Sequence, residues 1–263
     1  VAETRKTAHG VMPMDDLEKQ QLYYNLKGEK SQVKVLVACE ESQRVCSAFR
    51  RRGHEAYSAD IQEPSGGHPE WHILGDVLPI INGDCVFTTM DGEKHAVYGE
   101  WDLIIAHPPC TYLSNVATRH HSLKCSSLEK INARTESRIK AMGFFMKFVN
   151  AKCSRIAIEN PVCVMNTAYR KPDQIIEPYQ FAKSKNDKEN YVTKKTCLWL
   201  KGLDHLITSE IPKPDNLKLF GRTASGKVSN WEERASGPDR AKERSKTFEG
   251  IAEAMAEQWG GEK

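Results

Sequence analysis

WDLIIAHPPCTY, residues 101–112, decides the reading of this chain. An apolar run of buried-strand character, Trp101–Ile105, ends abruptly at Pro108-Pro109, and a cysteine follows at once. Two prolines stop a strand and fix the backbone beyond it. Cys110 is therefore held at the rim of a sheet, where a thiolate serves as a nucleophile.

Outward from this stretch, similar apolar runs recur. Val33–Ala38 (VKVLVA), Glu55–Ala59, Trp71–Leu74, Asp102–Ala106, Ser154–Glu159 (SRIAIE) and Thr196–Leu200 (TCLWL) read as strands. Cys46–Arg52, Leu128–Val149 and Phe248–Trp259 read as helices, and residues 82–99 as a hairpin about Asp91-Gly92. Asp15-Asp16 is placed to cap a helix in a polar N-terminal stretch. Strands alternating with helices imply an α/β fold with a mostly parallel sheet and helices on both faces. The expected organisation is an N-terminal extension (1–32), a catalytic core (33–201), a short recognition region (202–244) and a C-terminal helix completing the core (245–263).

In such sheets ligands bind beyond the carboxyl ends of the strands. Cys39 to Ser42, Asp60, Asp76, Cys110 and Glu159 all fall there, which argues for one site. Asp60 lies 22 residues after Ala38, near the spacing at which a carboxylate accepts ribose hydroxyls. The glycine-rich turn of dinucleotide folds is replaced by ACEESQ, residues 38–43. Glu40 and Glu41 would repel a pyrophosphate. A cofactor with a cationic centre and no phosphate fits better, and S-adenosylmethionine has a sulfonium, an ammonium and an adenosine. Asp76 is then placed for the adenine amino group. Glu159, 49 residues past Cys110, is placed at the neighbouring strand end as an acid whose pKa burial raises. Methyltransferases acting on amino groups carry Asp or Asn before the two prolines and an aromatic after them. His107 and Cys110 stand there instead, pointing to attack on a ring carbon.

Composition bounds the rest. The net charge of +3 does not by itself announce nucleic acid. No run approaches a membrane span, and the eight cysteines are scattered without a Cys-x-x-Cys pair, which fits a reducing cytoplasm. His120, His121 and Cys125 have no second ligand pair nearby, so no metal is expected. Gly221–Lys227 has the Gly-x-x-x-x-Gly-Lys spacing of a phosphate-binding loop, but Val228 stands where Ser or Thr is needed. A basic run from Lys213 to Lys246, including Arg222 and Lys227 and interrupted by Trp231, suits phosphate contacts.

The Pro-Pro-Cys and Glu-Asn-Pro segments, in this order and spacing, resemble the cytosine-C5 DNA methyltransferases, in particular a compact phage or prophage type. The resemblance covers residues 33–201 and 244–259. It implies a Rossmann-like methyltransferase fold in which Cys110 attacks C6 of a cytosine flipped out of duplex DNA, Glu159 engages N3, and S-adenosylmethionine supplies the methyl group for C5. It further implies a basic catalytic candidate at Lys195, before Cys197–Leu200. Cofactor contacts are expected from Cys39, Glu40, Glu41, Ser42, Asp60, Ile61, Asp76, Pro108 and Gly250, the last within SKTFEGIA (245–252). Substrate contacts are expected from Pro109, Asn160, Arg222 and Lys227. The chain departs from the family in its ACEESQ loop, in lacking Gln-Arg-x-Arg before Cys197, and in its short recognition region. Cytosine in RNA or a free nucleotide, and a methyltransferase-like DNA-binding protein without turnover, are the alternatives.

Overall fold

The computed structural model describes residues 32–115, 122–222, 226, 228–229 and 240–261. Val33–Gly260 form one compact unit. Its elements are β1 (Lys34–Ala38), α1 (Arg44–Arg51), β2 (Glu55–Asp60), β3 (His72–Leu74), β4 (Cys85–Thr88), β5 (Lys94–Val97), β6 (Leu103–Ala106), α2 (Leu128–Val149), β7 (Ile156–Pro161), α3 (Met165–Ala168), β8 (Gln174–Ile176), β9 (Thr196–Lys201), α4 (Asn216–Phe220), α5 (Arg240–Ser245) and α6 (Glu249–Trp259). The Asp15-Asp16 helix lies outside the described residues.

The β-branched run of β1 takes an interior place in the sheet because it is apolar on both sides. It pairs in parallel with β2 (Leu36 opposite Tyr57) and with β6 (Leu36 opposite Ile104). Alternation along it feeds two cores. Val35 and Val37 pack with Val45 and Phe49 of α1 and with Ile251 and Met255 of α6. Leu36 and Ala38 face the side where α2 buries Phe145 and Phe148. Helices thus cover both faces. Burying each phenylalanine contributes about 1.5–3 kcal/mol, which anchors the C-terminal half of α2.

The seven-stranded sheet has the order β3-β2-β1-β6-β7-β9-β8, with β4 and β5 as a separate antiparallel hairpin. This is the expected α/β, Rossmann-like, mostly parallel architecture. One strand runs against the rest: β9 is antiparallel to both β7 and β8. That reversal explains a difference from the sequence reading, which stops the seventh strand at Asn160-Pro161. Asn160 and Pro161 stay in register with Cys197 and Thr196, and a proline at the last strand position forfeits little. It also brings the start of β9 to the sheet edge where β1, β2, β6 and β7 end.

Part of the 202–244 region belongs to the core. Leu206 is buried, and its backbone exchanges two hydrogen bonds of 2.8 Å with the Gln174 amide. Gln258 grips the backbone of Ile207 in the same way, and Trp259 Nε1 donates to Asp204 O at 3.0 Å.

Candidate active site

The chain leaves β1 through a tight reversal. Cys39 and Gln43 both have left-handed backbones, with φ of 60° and 55°. Between them Glu40 turns its carboxylate onto the N-terminus of α1, accepting from Val45 N at 2.7 Å and Cys46 N at 3.1 Å. An anion there satisfies two of the helix's unpaired amides and meets the positive end of its dipole. Burial pushes the Glu40 carboxyl above the usual range despite the opposing charge of His107 and these amides. Glu41 accepts from Ser65 Oγ at 2.6 Å and pairs with Lys242 Nζ at 3.5 Å. Ser42 borders a smaller polar depression with Arg44 and Arg51.

A cavity of about 540 Å³ opens beyond the ends of β1, β2, β3 and β6. It gathers Cys39, Asp60, Ile61, Asp76 and Pro109 from the expected set, but not Glu40, Glu41, Ser42, Pro108 or Gly250. Asp60 and Asp76 are built alike. Each uses one oxygen in a local turn, Asp60 accepting from Gln62 N at 2.9 Å and Asp76 from Leu78 N at 3.0 Å. The second oxygen of each makes no hydrogen bond among the described residues. Burial, and then the charges of Asp60 and Asp76, push the Cys39 thiol up, so it stays protonated between them.

The opposite wall comes from α2 and is absent from the sequence reading. Ser137, Lys140, Ala141 and Phe144 line the cavity, with Tyr112 beside them. Their i, i+3, i+4, i+7 spacing puts them on one helical face, a pattern visible in the sequence but indistinguishable there from ordinary core periodicity.

Next to this cavity stands the thiol. His107 N–H donates to Ala38 O at 2.9 Å, holding the exit of β6 against β1. Asn160 Nδ2 donates to Pro108 O at 2.7 Å, tying the end of β7 to the proline pair. Cys110 O accepts from Leu113 N at 3.0 Å and Ser114 N at 2.8 Å, so the chain turns immediately after an exposed Cys110. Asn160 Oδ1 and His107 Nε2 are buried without a hydrogen-bond partner.

His107 Nδ1 lies 3.1 Å from Glu159 Oε2. This corrects the expectation of a raised Glu159 pKa. Burial does push it up, but the His107 hydrogen bond, the imidazolium charge and Lys194 outweigh that and hold the carboxyl below the usual range. Reciprocally, desolvation lowers His107, yet the Glu159 hydrogen bond and the charges of Glu159 and Glu40 leave it raised. Each group thus favours the charged form of the other. Although the residue as a whole is exposed, enclosure of its thiol and the Glu159 charge raise the Cys110 pKa, opposed by Lys194 and Arg244.

The basic residue that acts on this group is Lys194; Lys195 influences Cys197 instead. The Lys194-Lys195 dipeptide carries the signal in the sequence, and the fold separates the two by where each side chain falls. Lys194 Nζ donates to Arg244 O at 2.8 Å and stands 5.5 Å from the Phe248 ring centroid. Gly250 N donates to Asn190 Oδ1 at 2.8 Å, and a Cβ there would sit 2.5 Å from Phe181 O, so this glycine serves close packing. Arg222 is exposed and bonds Gly226 O at 2.7 Å. Lys227, His120 and His121 lie outside the described residues. Among the described residues no cluster of metal-ligating side chains occurs, and no helix is long and apolar enough to cross a membrane.

No protein-family model matches the chain, and no curated protein matches it in sequence. Among solved structures it is similar to an rRNA methylase from Escherichia coli, at 16% identity and a TM-score of 0.29, over 70% of this chain and 63% of that one. A likeness of that degree establishes no activity, and the chain spans less than two thirds of that protein.

Proposed function

We propose that this protein transfers a methyl group from S-adenosylmethionine to C5 of cytosine in DNA, through a covalent Cys110 adduct at C6. One observation carries the proposal: Pro109 forms part of the wall of a two-carboxylate cavity, and the next residue is a thiol influenced by Glu159 of the adjacent strand. A donor in the cavity and an acceptor at the thiol would share that boundary.

The cofactor choice rests on charge. In dinucleotide-binding folds the pyrophosphate takes the N-terminus of the first helix. Here the Glu40 carboxylate already occupies it. The cavity offers Asp60 and Asp76 opposite an α2 wall of Ser137, Lys140, Ala141 and Phe144, so two carboxylates face one cation, within the roughly 300–1,000 Å³ of small-molecule sites. These residues fit a cationic, phosphate-free adenosine cofactor, with Asp60 holding the ribose hydroxyls and Asp76 the adenine amino group. S-adenosylmethionine would supply an electrophilic methyl group there.

On the acceptor side Cys110 loses its proton and adds to C6. Protonation of N3 by the His107–Glu159 pair turns C5 into a nucleophile, which takes the methyl group. The C5 hydrogen then leaves as a proton to solvent water, the C6–S bond breaks to return the Cys110 thiolate, which regains a proton from solvent, and N3 returns its proton to Glu159. With the His107 pKa raised and the Glu159 pKa lowered, His107 is the proton source of this scheme, and the proton reaches N3 by way of Glu159. A cytosine within duplex DNA has to be flipped out for this geometry.

The test is a panel of duplex DNA, single strands, RNA and CMP incubated with tritiated methyl donor. Label is expected in DNA at cytosine C5. Label confined to RNA or CMP would replace the DNA reading with the second one, which the anchoring of residues 204–207 to the core favours by shrinking the surface left for sequence recognition. No cofactor binding and no transfer would leave a methyltransferase-like protein without turnover.

A further inference from the structure

Helix α2 carries Lys130, Arg134 and Arg138 at four-residue intervals, so they follow one face over about 12 Å of helix rise. The two arginines reach the turn that follows the thiol. Arg134 Nη2 donates to Thr111 O at 3.4 Å, Arg138 Nε donates to Tyr112 O at 2.9 Å, and the Arg134 guanidinium stands 5.3 Å from the Tyr112 ring centroid.

Neither guanidinium has an ion-pair partner among the described residues. Arg134 Nε and Arg138 Nη2 are enclosed without any acceptor. Like charges at this spacing repel, and burial together with the Arg134 charge lowers the pKa of Arg138. Holding two carbonyls requires hydrogen-bond donors but not two uncompensated positive charges. An anion seated against both would remove the repulsion, and a phosphate matches the planar donor fork of arginine. The cofactor is not that anion, because the cavity face of α2 is Ser137, Lys140, Ala141 and Phe144, with neither arginine among its lining.

We infer that Arg134 and Arg138 bind a phosphodiester group of the strand carrying the target base, next to Cys110. The inference rests on the nucleic-acid reading above and adds to it a specific backbone contact. Held by this pair, the phosphate would set the depth at which the flipped base meets the thiol, independently of base sequence.

The test uses the full chain and a fluorescent duplex with a single target cytosine, read by anisotropy across a salt series. Phosphates flanking the cytosine are replaced one at a time by neutral methylphosphonates, and Arg134→Gln/Arg138→Gln is compared with wild type. One flanking methylphosphonate is expected to weaken wild-type binding about tenfold, and the variant to weaken it similarly with a salt slope shallower by about 1. In the variant that methylphosphonate should cost nothing further, while S-adenosylmethionine affinity stays unchanged. A flat scan on wild type overturns the site, and so does a variant that loses cofactor affinity instead of DNA affinity. Should the variant fail to fold, the wild-type scan decides alone. A wild type that binds no polynucleotide at all defeats the functional reading itself, a different outcome from binding with a flat scan.

Discussion

His107 Nδ1 and Glu159 Oε2 lie 3.1 Å apart at the ends of adjacent parallel strands, with only 9% and 17% of their side chains exposed. Glu40 and Lys194 complete their charged surroundings. Because the histidine pKa is raised and the glutamate pKa lowered by folding, the pair stabilises the native state over a bounded window. The Glu159 part is present above its unfolded pKa of about 4.3 and is lost as pH falls through the lower folded value. The His107 part is present below its unfolded pKa of about 6.5 and is lost as pH rises through the higher folded value. The stability difference between wild type and His107→Gln, measured by urea titration, is therefore expected to peak between about pH 4.3 and 6.5. A pH-independent difference would show that the two groups do not ionise as a pair.

The same pair predicts a kinetic effect. If His107 supplies the N3 proton, methyl transfer declines as pH rises through the His107 pKa. In His107→Gln that alkaline decline moves to lower pH, because Glu159 alone must then be protonated. A profile of single-turnover rate against pH with both proteins checks this.

Glu40 links sequence chemistry to stability. Its carboxylate caps α1 through Val45 and Cys46. Loss of a side-chain cap costs up to about 2 kcal/mol, so Glu40→Ala should lower stability by that order, with Glu40→Gln milder because it keeps an acceptor. Thermal melts at neutral pH measure it.

Asp60 and Asp76 each retain one oxygen outside their local turns. Hydrogen bonds to charged groups contribute about 1.5–3 kcal/mol, so Asp60→Ala or Asp76→Ala should weaken S-adenosylmethionine binding about 10- to 100-fold. Calorimetric titration reads this directly. Glu40→Ala, although near in sequence, should not produce the same loss.

The fold was legible because apolar runs and helical periods are local. Val33–Ala38, Leu128–Val149 and Phe248–Trp259 coincide with observed elements to within a residue or two. The short β8 and α3 carry too few residues for a period. Strand direction is not local either: nothing in TCLWL reveals that β9 is reversed, and that reversal is what brings Lys194 and Lys195 to the edge where Cys110 and Glu159 stand. In the sequence Cys110 and Glu159 stand out through their strand-end prolines, Asp60 through its spacing from the first strand, and Asp76 through its place after the third. The roles of Glu40 and His107 depend on what folds against them, a helix terminus for one and the neighbouring strand end for the other. The direction of the Glu159 pKa depends on the same thing, since burial at a strand end is legible in the sequence and the His107 partner across the neighbouring strand is not.

The most direct measurement concerns the thiol. Duplex DNA containing 5-fluorocytosine, incubated with S-adenosylmethionine, should trap a covalent adduct, because fluorine at C5 cannot leave as a proton. Peptide mapping by mass spectrometry is expected to place the adduct on Cys110, and Cys110→Ser should form none while binding the cofactor normally. Methylation of ordinary cytosine without any adduct on Cys110 would contradict attack at C6 and with it the account of this site.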